Sequence, residues 1–374
     1  MDQFLLAYTA DTGTSAEQIS ARLLEQLGTV PAAANLGFLY LTDALTDAAP
    51  QILDQLRTQT GVAHWVGSVG MGICCTGQEF YDTPAAAVLI GSFPEEAFRV
   101  FTGIHDGLEG FVAQFGAWYQ HGQTHVAMVH GDPSNQDLPS LIAELPEILP
   151  GGFLVGGISS SNSRNIQIAD RITAGGLSGV VFNEQVEIIT GLSQGCTPIG
   201  PKHVITACER NIITRIDNRP ALDMFYEDIG ELLARDLSRI AGYIFAGLPI
   251  AGSDKADYLV RNLVGVDTEK KLLGIGDLVE PGQQIMFCRR DSDSAEQDLQ
   301  RMLVDIKQRC GRTPRGAVYY SCLGRGRYLF GEHSEELQLI SAALGDIPLV
   351  GFYANGEICH NRLYGFTGVL SLFI

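Results

Sequence analysis

The chain has 374 residues, more than one hydrophobic core usually supports, so its length favours two domains. Hydrophobic residues make up 45% and charged ones 18%, which excludes a disordered or fibrous chain. Against 25 Lys and Arg stand 43 Asp and Glu, and a net charge of −18 disfavours binding to phosphate backbones or anionic lipid. From the N-terminus, Ser15 suits a helix N-cap, and Ile19, Leu23 and Leu27 lie four apart on one face, predicting a helical lead-in over residues 1–34. A short apolar run at 36–41 follows, then a mixed stretch ending in Ile52, Leu53 and Leu56, then His64-Trp65-Val66-Gly67, a glycine-rich turn and a second run at 86–90. The same order recurs twice. The second copy runs from a strand at 126–129 through a helix at 138–145, with Pro139 in its first turn, to 153–157 and 178–182. The third runs from 317–320 through a helix capped by Ser334, with Leu337, Ile340 and Leu344 inward, to 348–352 and 368–373.

The spacing supports a repeat. From the first strand to the glycine of the next, the steps are 36 to 67, 126 to 156 and 317 to 351. Each unit reads strand, helix, strand, glycine turn, strand, and a helical crossover of that length is what parallel neighbours require. Gly67, Gly156 and Gly351 are therefore expected at equivalent strand ends. The predicted class is α/β, with α+β as the alternative: mixed sheets with covering helices, built from about three such units. Between copies two and three lies a turn-rich block with strands near 186–191, 203–207, 212–216, 243–248, 258–264 and 285–288. Within it Pro220 opens a helix carrying Leu222, Phe225, Ile229 and Leu233, and a later helix puts Cys310 on an apolar stripe. The expected division is a lead-in (1–34), an N-terminal domain (35–185) and a C-terminal domain (186–374).

Eight scattered cysteines, none in Cys-x-x-Cys, argue for free thiols, and with no signal peptide or 18-residue apolar run the expected compartment is the cytoplasm. The sharpest local feature is Tyr320-Ser321-Cys322-Leu323-Gly324-Arg325-Gly326-Arg327. It places a thiol at a strand's carboxyl end, where α/β sheets form ligand crevices, followed by two arginines that would lower its pKa or bind a carboxylate. The commoner fate of such a thiol is a buried small hydrophobe. Gly351-Phe352 with Gly356-Glu357 forms the matching turn of copy three, and Gly156-Gly157 with Ser159 that of copy two. Glycines let backbone amides approach a small ligand, and Glu357 offers a carboxylate. The eight histidines show no zinc-ligand rhythm, so no metal is expected, and dinucleotide, Walker and Gly-x-Ser-x-Gly motifs are missing.

Gly191-Leu-Ser-Gln-Gly-Cys196-Thr-Pro-Ile-Gly200-Pro201, Asp217 and Pro220-Ala221 resemble the join between FIST N- and C-terminal domains. Tyr320-Ser-Cys-Leu-Gly-Arg-Gly326, Gly351-Phe352, Gly356-Glu357 and Gly365-Phe-Thr-Gly-Val369 are similar to the C-terminal FIST (F-box and intracellular signal transduction) signature. The resemblance implies a sensory domain for small ligands such as amino acids. Some members carry haem and sense nitric oxide, and eukaryotic ones follow an F-box. With no output segment recognisable before the first copy, signal output is expected to pass to a separate protein. The leading expectation is a non-catalytic sensor binding an amino-acid-like molecule, with no cofactor, no nucleic acid and no membrane. Three alternatives stand beside it: an enzyme with Cys322 as nucleophile, a haem-binding gas sensor and a protein-interaction scaffold.

Overall fold

The computed structural model describes residues 4–11, 15–120, 122, 124–230, 242–250 and 258–374. Two compact units result: residues 1–193 with 298–374, and residues 194–297. The larger unit is therefore discontinuous in sequence.

The repeat is longer than its sequence pattern suggests. The first copy comprises β1 (Leu5–Ala10), α1 (Ala16–Leu27), β2 (Leu36–Thr42), α2 (Ala49–Thr60), β3 (His64–Gly70), β4 (Gly72–Cys75), β5 (Gln78–Tyr81) and β6 (Ala85–Gly91). Ser15 caps α1 in a capping box with Gln18, as its sequence predicts. What reads as a purely helical lead-in also contains β1, an edge strand antiparallel to β6. The second copy repeats the order: β7 (Phe98–Ile104), α3 (Glu109–Tyr119), β8 (His125–Gly131), α4 (Leu138–Ile148), β9 (Phe153–Ile158), β10 (Gln167–Ala169), β11 (Ile172–Thr173) and β12 (Leu177–Asn183).

The third copy opens with β13 (Ile188–Gln194) and is then interrupted by the smaller unit. That insert holds β14 (Cys196–Pro198), β15 (His203–Glu209), β16 (Ile212–Ile216), β17 (Arg219–Pro220), α5 (Ala221–Ile229), β18 (Ile244–Pro249), β19 (Tyr258–Asp267), β20 (Leu272–Ile275) and β21 (Gln284–Arg290). Because β21 pairs with both β15 and β18, the order β18-β19-β20-β16-β15-β21 closes into an antiparallel barrel. Leu222, Phe225 and Ile229 of α5 join its core, and Phe225 meets Phe287 edge-on at 4.9 Å. Leu233, placed on the same helix by its spacing, lies outside the described residues. The third copy resumes with α6 (Ser292–Cys310), β22 (Gly316–Cys322), α7 (Glu335–Leu344), β23 (Leu349–Ala354), β24 (Glu357–His360), β25 (Arg362–Tyr364) and β26 (Thr367–Phe373). Cys310 is buried on its stripe. Ser334, expected as a cap, instead takes a left-handed conformation without capping α7, and its hydroxyl accepts from Glu79 N at 3.1 Å.

In each copy the central strand pairs in parallel with the next, β2 with β3, β8 with β9 and β22 with β23. On its other side it pairs antiparallel with the last strand of its copy. The hairpins are exchanged. Hairpin β4-β5 of copy one extends the sheet of copy three beside β23, β10-β11 of copy two extends copy one beside β3, and β24-β25 of copy three extends copy two beside β9. Each six-stranded sheet is thus completed by a neighbour, in a cycle.

Alternation along the central strands sorts their side chains. Leu39 and Leu41, Ala127 and Val129, and Ala317 and Tyr319 face the helices of their own copies. Their neighbours Tyr40, His130 and Tyr320 point the other way and meet, all fully buried. Tyr40 Oη lies 3.0 Å from His130 Nε2 and donates to Tyr320 Oη at 3.3 Å, and the Phe352 ring stacks on Tyr40 at 5.4 Å.

Gly67, Gly156 and Gly351 are equivalent, as the spacing predicts, but they sit within strands and not at their ends. Their parallel partners are Leu39, Val129 and Tyr319. At each, a Cβ would stand on the partner's carbonyl oxygen, deep inside van der Waals contact. The obstacle is rigid backbone, so Gly67→Ala, Gly156→Ala and Gly351→Ala should each cost more than about 3 kcal/mol in chemical denaturation. Gly110→Ala, in open space on α3, should be neutral or stabilise by up to about 1 kcal/mol. A Gly67→Ala protein as stable as wild type would remove the close-approach argument.

Candidate functional site

Part of the sequence-predicted set converges at the carboxyl end of β22. Cys322 ends that strand opposite Ala354 of β23, and Leu323 N donates to Ala354 O at 3.0 Å. The following turn is laced to the end of β9: Asn355 N donates to Ile158 O and Ile158 N to Gly356 O, each at 2.9 Å. Glu357, the first residue of the exchanged hairpin, then pairs with Gly157. A Cβ on Gly157 would lie 2.7 Å from Ala354 Cβ and 3.0 Å from the Phe352 ring, so its glycine admits copy three's turn. Gly324 N donates to Cys322 Sγ at 3.5 Å.

Glu357 is fully buried. Its Oε2 accepts from Thr367 N at 3.0 Å and Thr367 Oγ1 at 2.7 Å, while Oε1 meets no hydrogen-bonding nitrogen or oxygen among the described residues and the Cys322 thiol bears on the same carboxyl. Burial pushes its carboxyl up to about 8, against the pull of the Thr367 bonds, so near neutral pH it is largely protonated. Burial, then the Glu357 carboxylate, push the Cys322 thiol well above its usual range. This corrects the expectation of an arginine-activated thiol. The two arginines are committed elsewhere.

Arg325 is fully buried and pairs with Glu336 of α7, Nε at 2.8 Å and Nη2 at 2.7 Å from Oε1. Glu336 also accepts from Tyr319 Oη, Ser321 Oγ and Gly326 N. Arg327 pairs with Asp82 and lies 4.4 Å over the Tyr81 ring. Gly326 is held in a left-handed turn (φ 50°) where a side chain would strike Tyr81 and Glu79, so its role is structural. Ser159 also leaves the cluster: its hydroxyl bonds Ser68 Oγ at 2.7 Å and accepts from Gln167 Nε2 at 2.8 Å. Gly156 and Gly351 serve strand pairing, and Phe352 the aromatic centre. Sequence reasoning missed Thr367 and Glu336. Thr367 sits inside the quoted Gly-Phe-Thr-Gly run, whereas nothing in the pattern of α7 marks Glu336 as buried before the position of Arg325 is known.

Register defines what the other copies carry at these places. Thr42 and Asp132 are equivalent to Cys322, and Ile73 and Gln167 to Glu357. Asp132 Oδ1 accepts from Ser134 N, two residues on, as Cys322 Sγ does from Gly324 N. The fold therefore accepts several side chains at both positions, and only copy three sets a thiol beside a carboxyl group.

The donor set does not suit haem. No histidine belongs to this cluster to serve as an axial ligand. The buried His130, pushed down to about 3 by burial, has its Nε2 against Tyr40. His203 has both nitrogens engaged, by Asp217 at 2.7 Å and Asp228 at 3.0 Å. Among the described residues no group of three His, Cys, Asp or Glu side chains could hold a metal ion.

The folded chain holds the Glu357 proton more tightly than the unfolded one, whose carboxyl titrates near 4.5. This contribution to stability is complete below that value and is lost as pH rises through about 8. Glu79, pushed up to about 7 chiefly by burial, acts with the same sign. Thermal unfolding followed against pH should therefore show a falling limb that Glu357→Gln makes shallower, and an identical limb in the variant would mean that this carboxyl titrates normally.

Models of the FIST N domain and the FIST C domain match residues 35–219 and 221–360. Uncharacterized protein Rv0628c of Mycobacterium tuberculosis is 30% identical over 380 residues, 97% of each chain. Uncharacterized protein Mb0898c of Mycobacterium bovis is 27% identical over 390 residues, 98% of this chain and 97% of that one. A solved structure of T. maritima PurL complexed with ATP aligns over 99% of this chain and 71% of that chain, with 11% identity and a TM-score of 0.22, too slight a likeness to bear on fold or function. FIST domains are associated with signal-transduction sensing, and no helix among the described residues is long and apolar enough to cross a membrane. With both domain models matched in order along most of its length, the chain belongs to the FIST family.

Proposed function

We propose that the protein is a cytoplasmic, non-catalytic sensor whose small ligand is held at the corner formed by Gly157, Cys322, Gly324, Gly356 and Glu357. The supporting observation is the buried carboxyl of Glu357 beside the Cys322 thiol. Its Oε1 meets no hydrogen-bonding nitrogen or oxygen among the described residues, and neither does Oε1 of the equivalent Gln167, but Gln167 is an uncharged amide and Ile73 of copy one is apolar, so only copy three sets an ionisable group there. A buried polar group without a partner is costly, and a ligand would supply one. An amino-acid-like ligand suits this group, because its ammonium would pair with an ionised Glu357 on loss of the carboxyl proton. Arg325, committed to Glu336, does not take the ligand's carboxylate in this reading. A thiol held far above its usual range, with no histidine in the cluster, disfavours nucleophilic catalysis. The sensor acts without a cofactor, and its signal passes to a separate protein, with neither nucleic acid nor membrane as partner.

Native mass spectrometry of the purified protein, with a thermal-shift screen of the proteinogenic amino acids, tests this reading. A responding ligand at a hundredfold excess over its dissociation constant should stabilise wild type by about 2.7 kcal/mol, and Glu357→Gln should lose that gain. No retained mass and no responding amino acid, or an equal response in the variant, would sink it.

A further inference from the structure

At the opposite, amino-terminal ends of the parallel strands, a groove of about 560 Å³ lies where copies one and two adjoin. Ala33, Ala63, Phe93 and Phe98 supply apolar wall, and His64, Glu95, Glu96 and Arg99 also line it. Arg99 pairs with Glu96 at 2.6 Å. His64 opens β3, and its Nδ1 lies 2.9 Å from Asp170 Oδ2. Asp170 belongs to the exchanged hairpin and is fixed at several points: Oδ1 accepts from Trp65 N at 2.9 Å, its N donates to Trp65 O at 2.8 Å, and its O accepts from Arg57. With Nδ1–H given to Asp170, a neutral His64 carries its lone pair on Nε2, which has no partner among the described residues.

The repeat supplies the control. His64 is equivalent to Phe153 and Pro348, and Asp170 to His360 and Thr76. In copy two the corner is a ring contact, Phe153 on His360 at 4.3 Å. In copy three Thr76 Oγ1 accepts from Leu349 N at 3.0 Å, as Asp170 does from Trp65 N. The copy-three corner thus forms with neither an imidazole nor a carboxylate, and the copy-two corner without the ion pair, so the fold does not require this pair.

We propose that the His64 groove is a second binding site, for a small apolar molecule carrying one hydrogen-bond donor, of the phenol class. The ring would lie against Phe93 and Phe98, and the hydroxyl would donate to Nε2. The volume is that of a small-molecule site. Glu95 leaves the lining with an excess negative charge once Arg99 and Glu96 cancel, which selects against anions. The site shares no residue with the Glu357 corner, so its failure would leave that reading untouched.

The test is titration of p-cresol into the full chain at about pH 8, followed by the ring-nitrogen NMR signals of His64, which report its protonation directly. Wild type should show a saturable shift of unprotonated Nε2. His64→Phe, which installs the residue of the copy-two corner, should weaken binding at least about tenfold by calorimetry. Asp170→Asn should do the same by a different route: its amide can still accept from Trp65 N through oxygen but donates to Nδ1, which moves the imidazole proton to Nε2. No saturable shift at millimolar p-cresol overturns the proposal, as does affinity unchanged in either variant when that variant shows wild-type unfolding.

Discussion

Every sheet of the larger unit depends on a strand pair that another copy provides. Hairpin β4-β5 pairs with β23, β10-β11 with β3 and β24-β25 with β9, so a repeat taken alone has an open edge beside its second parallel strand. Those edges carry unpaired backbone groups until the cycle closes, and closing it brings the inner faces together at Tyr40, His130 and Tyr320. Burial of both faces of each central strand explains why those strands read as nearly continuous apolar runs.

A cyclic frame of this kind separates structure from chemistry. Positions that hold the frame repeat in kind: the glycines under a neighbour's carbonyl occur in all three copies. Positions released from that duty have diverged, as Thr42, Asp132 and Cys322 show at one end of the strands and His64, Phe153 and Pro348 at the other. Groups with displaced proton affinities then stand out against what the same backbone tolerates elsewhere. Burial alone is a blunter guide, since Arg325 and Glu336 are both buried yet held to each other through Nε and Nη2, with only Arg325 Nη1 left without a partner among the described residues.

Much of this was legible in the sequence, because strand-helix-strand order and the Gly67, Gly156 and Gly351 spacing are local properties. The convergence of Cys322, Gly157 and Glu357 was legible for the same reason, since strand ends of equivalent units gather together. What escaped was long-range. β1 is a short edge strand whose alternation is weak, and β4, Gly72–Cys75, reads as part of a glycine turn until its partner in copy three is known. Arg325 was assigned to a ligand because its carboxylate partner, Glu336, lies on a helix whose periodicity marks only the apolar stripe. Ser159 was grouped with Gly157 by adjacency, but two residues along a strand end suffice to turn it into the Ser68 and Gln167 cluster.

The exchange of hairpins also sets an order of events at the ribosome. Copy one emerges with β4-β5 already made, yet its partner β23 begins at Leu349, after the whole second copy and the inserted barrel have been synthesised. The barrel, whose pairings all lie within residues 194–297, can fold while that hairpin waits. Closure of the larger unit is a late, long-range step of high contact order, slow by nature, and the apolar Ile73-Cys74-Cys75 strand stays open to wrong partners until it happens. A nascent chain stalled before its last repeat is therefore the species in most need of a chaperone.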